Sequence, residues 1–336
     1  MSQENFSDIG RIEALKRLFG NTPYKPFETP CFETSQSVYL TTTSRLFSEG
    51  VDFSLIYFPL KHLGYKCTIA VLGELVASLS HPKVLSVRLG ISSKLDFSHI
   101  EELWEGIVSA AKEFSISSVS LDLVPSRNGL NISIAATGQT LMKIDNSRPK
   151  PQSKDLLCVS GNLGGAYLGM RLLEKERERF EKEGTQPDLE KYRMIVGEYL
   201  KPTISPNILN HFEETGILPS SGYLITRGLA DSIKQLVRDS GLGAKIYAER
   251  IPFEGNSFTL GKELDIDTVS AALNGGEDYR LLFTIPIMKA EQFRRDFQSF
   301  DIIGHLAQPE VGAVIVTPEG VELPLKAQGW PEDDNQ

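Results

Sequence analysis

The segment Asn274-Gly275-Gly276-Glu277-Asp278-Tyr279-Arg280-Leu281-Leu282-Phe283-Thr284 constrains the fold more than any other stretch of this chain. Two glycines allow a tight turn, two acids and a tyrosine follow at once, and the Leu-Leu-Phe-Thr run predicts a buried strand. Acids at the mouth of a buried strand stand where a ligand can reach them. Standing alone, the same residues serve equally well as a Gly-Gly turn carrying a solvated Glu-Asp pair.

The rest of the chain alternates between strand and helix patterns, which predicts a layered α/β (α+β) architecture. A length of 336 residues exceeds what one compact core usually holds and suits two domains. Residues 38–43 and 55–58 predict strands, and apolar residues at helical spacing over 61–79 and 100–114 predict helices. Strands over 83–89, 118–124 and 130–137 complete a first domain at 1–140. Residues 1–36 hold one short helix, then prolines at 23, 26 and 30, and read as loosely structured. The polar, proline-bearing stretch 141–154 reads as a linker.

A second domain, 155–330, opens with an apolar strand at 155–160 and turns through Gly161-Asn162-Leu163-Gly164-Gly165 into a long helix. That helix ends in EKERERFEKE, whose alternating charges suit a solvated face. Further helices are expected near 188–199, 228–239 and 288–298. Strands are expected at 222–226, 244–250, 301–306, 312–316 and 321–325.

Composition limits the function classes. A net charge of −9 argues against a broad nucleic-acid or anionic-membrane surface. Cys31, Cys67 and Cys158 are odd in number, widely spaced and form no CxxC pair, so they suit reduced thiols rather than a disulfide framework or zinc site. The first twenty residues lack the apolar core of a signal peptide, and the apolar stretch 67–79 is broken by Glu74 and too short to span a bilayer. A soluble, cytoplasmic protein with no nucleic-acid or membrane partner is expected.

The glycine turn at 161–165 exposes backbone N–H groups at a helix N-terminus, where phosphate is favoured. It matches neither the Walker pattern nor GxGxxG, so a plain structural turn remains an open reading.

Taken in order from about residue 38, these motifs resemble the thiamine-monophosphate kinase family, within the superfamily of aminoimidazole ribonucleotide synthetase. GGEDY followed by LLFT resembles that family's C-terminal signature, and the 159–166 turn is similar to the one that opens its C-terminal domain. Glu49-Gly50-Val51-Asp52-Phe53 looks like the family's EGVHF, with Asp52 replacing a histidine near the thiamine. Pro59-Leu60-Lys61-His62-Leu63-Gly64-Tyr65-Lys66 is similar to the start of the helix that follows. Arg148 falls where the family has a nucleotide-contacting arginine. Ala327-Gln328-Gly329-Trp330 resembles the family's end, where an aromatic ring packs on the thiamine.

The resemblance implies the two-domain synthetase fold, with an N-terminal β-rich dimerisation domain and a C-terminal α/β domain. It implies a homodimer and phosphorylation of thiamine monophosphate by ATP with magnesium. Substrate-binding candidates are Asp52, Glu277, Asp278 and Trp330.

Departures from the family pattern are ordered. GDDAAV is replaced by Glu33-Thr34-Ser35-Gln36-Ser37-Val38, STD by Thr43-Ser44-Arg45, and NLSD by Val71-Leu72-Gly73-Glu74. GGDTT becomes Ser120-Leu121-Asp122-Leu123-Val124, and DISDGL becomes Leu224-Ile225-Thr226-Arg227-Gly228-Leu229. Thr34, Ser35, Arg45, Leu224 and Arg227 therefore stand where the family has aspartates. Asp122 and Glu74 remain as candidate metal ligands and catalytic groups.

Magnesium needs near-octahedral oxygen ligation. A guanidinium 4 Å from even a single positive charge is repelled by about 4 kcal/mol at an effective dielectric of 20. Phosphoryl transfer is mostly positioning and metal electrostatics, so impaired or lost catalysis is expected. Arg227 precedes Gly228 at a strand-to-helix junction, where a guanidinium adds charge-assisted phosphate contacts. Arg45, Arg148, Arg227 and Gly228 are thus the candidate nucleotide or phosphate groups. The alternatives are a non-enzymatic binding or regulatory protein for a phosphorylated metabolite, or a structural partner of an active homologue. In a closed pocket, Arg45 and Arg227 would instead pair with Glu74, Asp122 or Glu277.

Overall fold

Two hydrophobic patterns, each closed on its own sheet, divide the computed structural model into units Met1–Asp145 and Asn146–Gln336. The structure describes residues 9, 11–24, 38–327 and 330. The expected loose segment 25–36, Thr34 and Ser35 among it, lies outside the described residues, as does Cys31.

The first unit is built on β1 (Val38–Ser48), β2 (His81–Ser92), β3 (Ser118–Ser126) and β4 (Asn131–Leu141), in the order β1-β4-β2-β3. Alternation along these strands sends Leu85, Val87, Leu121, Leu123, Ile132 and Ile134 to one buried face. Helices α2 (Leu60–Ala77) and α3 (Phe97–Glu113) cover that face, and α1 (Arg11–Gly20) hydrogen-bonds Trp104 Nε1 through Leu18 O. The opposite face is open. Cross-strand register sets Leu46, Ser133, Arg88 and Asp122 in one row on it.

Helices α2 and α3 pack with backbone against backbone. A methyl group on Gly64 would strike Leu103 O, and one on Gly106 would strike Lys61 O. The start of α3 is fixed by a capping box in which Asp96 accepts from the His99 amide at 3.2 Å. The strand expected at 55–58 is absent. Phe58 N–H closes onto Ser54 O at 3.0 Å, because Phe53 and Phe58 turn inward while Ile56 stays in solvent and Pro59 starts α2.

The second unit carries seven strands: β5 (Leu156–Ser160), β6 (Ser221–Ile225), β7 (Gly243–Tyr247), β8 (Arg280–Ile285), β9 (Phe300–Ala307), β10 (Ala313–Val316) and β11 (Glu322–Pro324). Their order is β11-β10-β7-β9-β5-β8-β6, with β7 and β10 parallel and the other neighbours antiparallel.

Its helices are α5 (Gly165–Glu183), α6 (Arg193–Leu200), α7 (Ile208–Thr215), α8 (Leu229–Ser240), α9 (Ser257–Leu264), α10 (Thr268–Asn274) and α11 (Ala290–Asp296). A short α4 (Met142–Asn146) lies within the stretch read as linker. Leu229, Ile233 and Leu236 of α8 pack into a core with Leu157, Ile225 and Leu282. Helices α7, α9 and α10 were not expected from sequence, since two turns are too few for a 3.6-residue period to show. The strand expected to run to residue 250 stops at Tyr247, where a single 3₁₀ turn begins. Cys67 and Cys158 are buried free thiols. Among the described residues no helix is long and apolar enough to cross a membrane.

The α2–α3 contact gives a paired test. Gly106→Ala adds helix propensity worth about 1 kcal/mol but forces two backbones apart, and overpacking of this kind costs about 1–3 kcal/mol. A net loss of stability in urea unfolding is expected. Gly197→Ala, in α6 with open space around it, is expected to gain about 0.5–1 kcal/mol.

Candidate functional site

Three chain junctions meet at one edge of the second sheet. Strand β8 lies between β5 and β6 and runs antiparallel to both. The ends of β5 and β6 and the start of β8 therefore share that edge, where ligands commonly bind in open α/β sheets. The GGEDY segment is interlocked there with the turn from β6 into α8. Glu277 N–H donates to Thr226 O and Tyr279 N–H to Ile225 O, each at 2.9 Å. Gly276, at φ +79°, leaves room for Thr226 O, and Gly228, at φ +97°, for the backbone of Leu273. Side chains at either glycine would separate the segments.

Asp278 holds the third junction. Its side chain is 3% exposed, and its two oxygens accept from the amides of Gly164 at 2.9 Å and Ala166 at 3.2 Å. The helix N-terminus that the sequence offered to a phosphate thus already carries the chain's own carboxylate. Burial pushes the Asp278 pKa up to about 7. The Gly164 bond opposes this, the Glu198 charge adds to it, and Ala166 and Arg280 oppose it.

Glu198, from α6, lies on the other side of the same turn. Its Oε1 accepts from Asn162 Nδ2 at 3.2 Å and faces Arg280 at 3.5 Å. A methyl group on Gly165 would collide with its Oε2. Burial raises the Glu198 pKa, with Arg280 and Asn162 pulling it down. Arg280 also donates to Asn162 O at 3.3 Å and Thr203 O at 3.2 Å, and Ser160 Oγ accepts from the Leu281 amide at 2.9 Å. Beside these groups opens a cavity of about 180 Å³, lined by Ser160, Gly161, Thr203, Ser205 and Arg280 among others.

The other sequence candidates are distributed as follows. Glu277 is half-buried and accepts from Tyr279 Oη at 3.4 Å. Arg227 is exposed, and its guanidinium makes no hydrogen bond or ion pair to any described residue. Arg148 donates to Pro219 O at 2.9 Å, before the start of β6, so a strand's length separates it from Arg227 and Gly228. Trp330 Nε1 donates to buried Asp231 Oδ1 at 2.6 Å, and Lys234 and Arg238 stand over its ring at 5.7 and 5.5 Å. It docks along α8. Leu224 is buried in β6. Asn162, Glu198 and Arg280 escaped the sequence reading. The available signal for Glu198 was an acid set among Ile195, Val196 and Tyr199 in a short apolar helix.

In the first unit, Asp52 Oδ2 accepts from the Ser48 amide at 2.7 Å and closes the EGVDF turn. Arg45 lies on the helix-covered face, its guanidinium 5.5 Å above the Phe47 ring. Glu74 is on α2, packed over that face, whereas Asp122 is on the open face and its Oδ1 accepts from the Leu123 amide at 3.1 Å. Strand alternation and the sheet itself keep Asp122 and Glu74 apart, so they do not fit a shared magnesium ion. Among the described residues no three His, Cys, Asp or Glu side chains group as metal ligands.

The fold has solved counterparts. A crystal structure of thiamine-monophosphate kinase from Aquifex aeolicus matches with a TM-score of 0.71 at 23% identity, covering 85% of this chain and 89% of that one. Hydrogenase maturation protein HypE, in complex with ATP, matches at 0.69 and 17% identity, covering 93% and 91%. These likenesses define the class: a mixed α/β protein with the two-domain architecture of aminoimidazole ribonucleotide synthetase. In sequence the Aquifex aeolicus kinase is 24% identical over 286 residues, 85% of this chain and 88% of the relative, and the Bacillus subtilis kinase is 22% identical over 84% of each. No family model matches the chain. Over most of its length the chain is thus similar to thiamine-monophosphate kinases and shares their fold.

The Arg280–Glu198 pair yields a test of the site's electrostatics. Arg280→Met strands a buried carboxylate and is expected to destabilise the protein by about 3 kcal/mol. The double variant with Glu198→Gln should recover a measurable part of that loss in a urea double-mutant cycle.

Proposed function

We propose that this chain retains the nucleotide and thiamine-phosphate pocket of its family but transfers phosphate poorly or not at all. Its main support is Arg227, an exposed guanidinium at the β6–α8 turn where the family pattern has an aspartate. The Aquifex aeolicus kinase has been solved complexed with AMPPCP and TMP, and HypE with ATP, which supports ATP as the nucleotide here. When bound in a kinase of this kind, magnesium neutralises the phosphate oxygens in flight. The separation of Asp122 from Glu74 does not fit that ion, so no step is assigned to it.

What remains is binding. Arg227 offers charge-assisted, bidentate contacts to a phosphate beside the Gly228 backbone. A phosphorylated metabolite held this way stays unreacted, which describes a binding or regulatory protein. Self-association through the first sheet accompanies this reading: Leu40, Leu46 and Val124 are 50%, 63% and 43% exposed on its open face. A homodimer mass by light scattering at micromolar concentration is expected, and a monomer would remove this part of the proposal.

Calorimetric titration with ATP and with thiamine monophosphate tests the binding reading. At least one should bind, and bind equally in chelator. Arg227→Ala should weaken it by about 1–3 kcal/mol. Thiamine diphosphate formation should be absent or several orders of magnitude below an ordinary enzymatic rate of about 10 per second. Magnesium-dependent turnover near that rate would overturn the proposal, as would failure of both ligands to bind.

A further inference from the structure

Two carboxylates flank one glycine at the head of α5. Asp278 spends both oxygens on the Gly164 and Ala166 amides, and Glu198 Oε2 sits against Gly165. Glu198 Oε1 has Asn162 and Arg280, but Oε2 is buried without a hydrogen-bond partner in the structure. An orphaned buried carboxylate oxygen beside a second carboxylate is costly with both ionised, and a proton gives that oxygen a role. Meanwhile Glu277 and Tyr279, on either side of Asp278, hold left-handed backbone at φ +61° and +46°. Neither is a glycine, so each conformation persists only while its surroundings enforce it.

We propose that Asp278 and Glu198 are positioning residues, that the unpartnered Glu198 Oε2 carries a proton beside the docked Asp278 carboxylate, and that this proton latches the Gly276–Tyr279 segment against the β6–α8 turn. While the proton is held, Asp278 stays docked on α5, and Glu277 and Arg227 keep a fixed relation. When it leaves, two adjacent buried negative charges repel and the strained segment is freed. The charged and titratable groups around the pair are Arg280 on β8, Glu254 in the loop before α9, Tyr167 on α5, and Glu277 and Tyr279 in the segment itself. Arg280 offsets only part of the charge, since its guanidinium is shared with Asn162 O and Thr203 O. The latch acts whether or not a nucleotide binds, so it stands apart from the proposed function.

The sign follows from linkage. A carboxyl whose folded pKa lies above its value in the open form stabilises the closed latch most at acid pH. That contribution is lost as pH rises toward the folded value. Burial raises both carboxyls above the ordinary carboxylate range, so the loss falls above that range and levels once the proton has gone.

Hydrogen exchange of the Glu277, Tyr279 and Leu281 amides in the full chain, corrected for intrinsic rates, reads the latch directly. In the unsubstituted protein protection should fall by up to tenfold per pH unit from pH 5 to 7, then level off. Glu198→Gln supplies a permanent N–H where the proton would sit, and protection should stay high and flat over the same range. Asp278→Asn has one acceptor oxygen for two amides, and protection should be low and flat. Wild-type protection that does not change between pH 5 and 8 would overturn the proposal, as would Glu198→Gln keeping the wild-type slope. Both readings survive a failure of Asp278→Asn to fold.

Discussion

The carboxylate of Asp278 on the amides of Gly164 and Ala166 is the contact on which the second unit's site depends. Removing a carboxylate from water is costly unless donors replace the water. Here two amides at the start of a nineteen-residue helix do so, with the helix dipole favouring the negative charge. That single docking fixes β5–α5 to the start of β8. The bonds from Glu277 and Tyr279 to β6 and its turn then fix β8 to α8. The left-handed backbone at residues 277 and 279 costs about 1–3 kcal/mol at each. Full burial of Tyr279 contributes to offsetting it.

A consequence is that two amides at the N-terminus of α5 are already occupied by the chain's own carboxylate. Helix α8 differs. Its first-turn acid, Asp231, is turned to Trp330 and Gln235, while Arg227 stands in solvent just before the helix. Arg227 therefore adds an exposed positive charge at this edge of the sheet, beside the start of α8. In the binding reading proposed above, Arg227 is the group that a phosphate would meet there.

Much of the fold was legible because long elements carry long periods. Strand β4 alternates without a break, α3 repeats its apolar face over four turns, and α2 is a long apolar helix buried nearly all round. What failed was short or dependent on tertiary partners. The apolar residues at 55–58 look like a strand, but Pro59 and the inward pull of Phe53 and Phe58 make them a turn. At the site, GGEDY announced its position while hiding its chemistry: the sequence cannot show that Asp278 points inward, because its partners lie over a hundred residues away. Glu198 was invisible because its partners Asn162, Gly165 and Arg280 lie on other elements of the chain. The separation of Asp122 from Glu74 was within reach, since Leu121 and Leu123 on either side of Asp122 already place it on the face away from the helices.

The substituted positions and the scaffolding positions are different residues. Gly164, Gly228, Gly276, Asp278 and Tyr279 hold the three junctions together, and each meets a steric or hydrogen-bonding demand of the backbone. Leu224 faces the core, where an apolar side chain is favoured, and Arg227 faces solvent, where any charge is tolerated. Replacing acids at these two places therefore leaves the junctions intact. A metal-dependent site imposes a charge requirement on top of the packing requirement, and only the second is needed to fold.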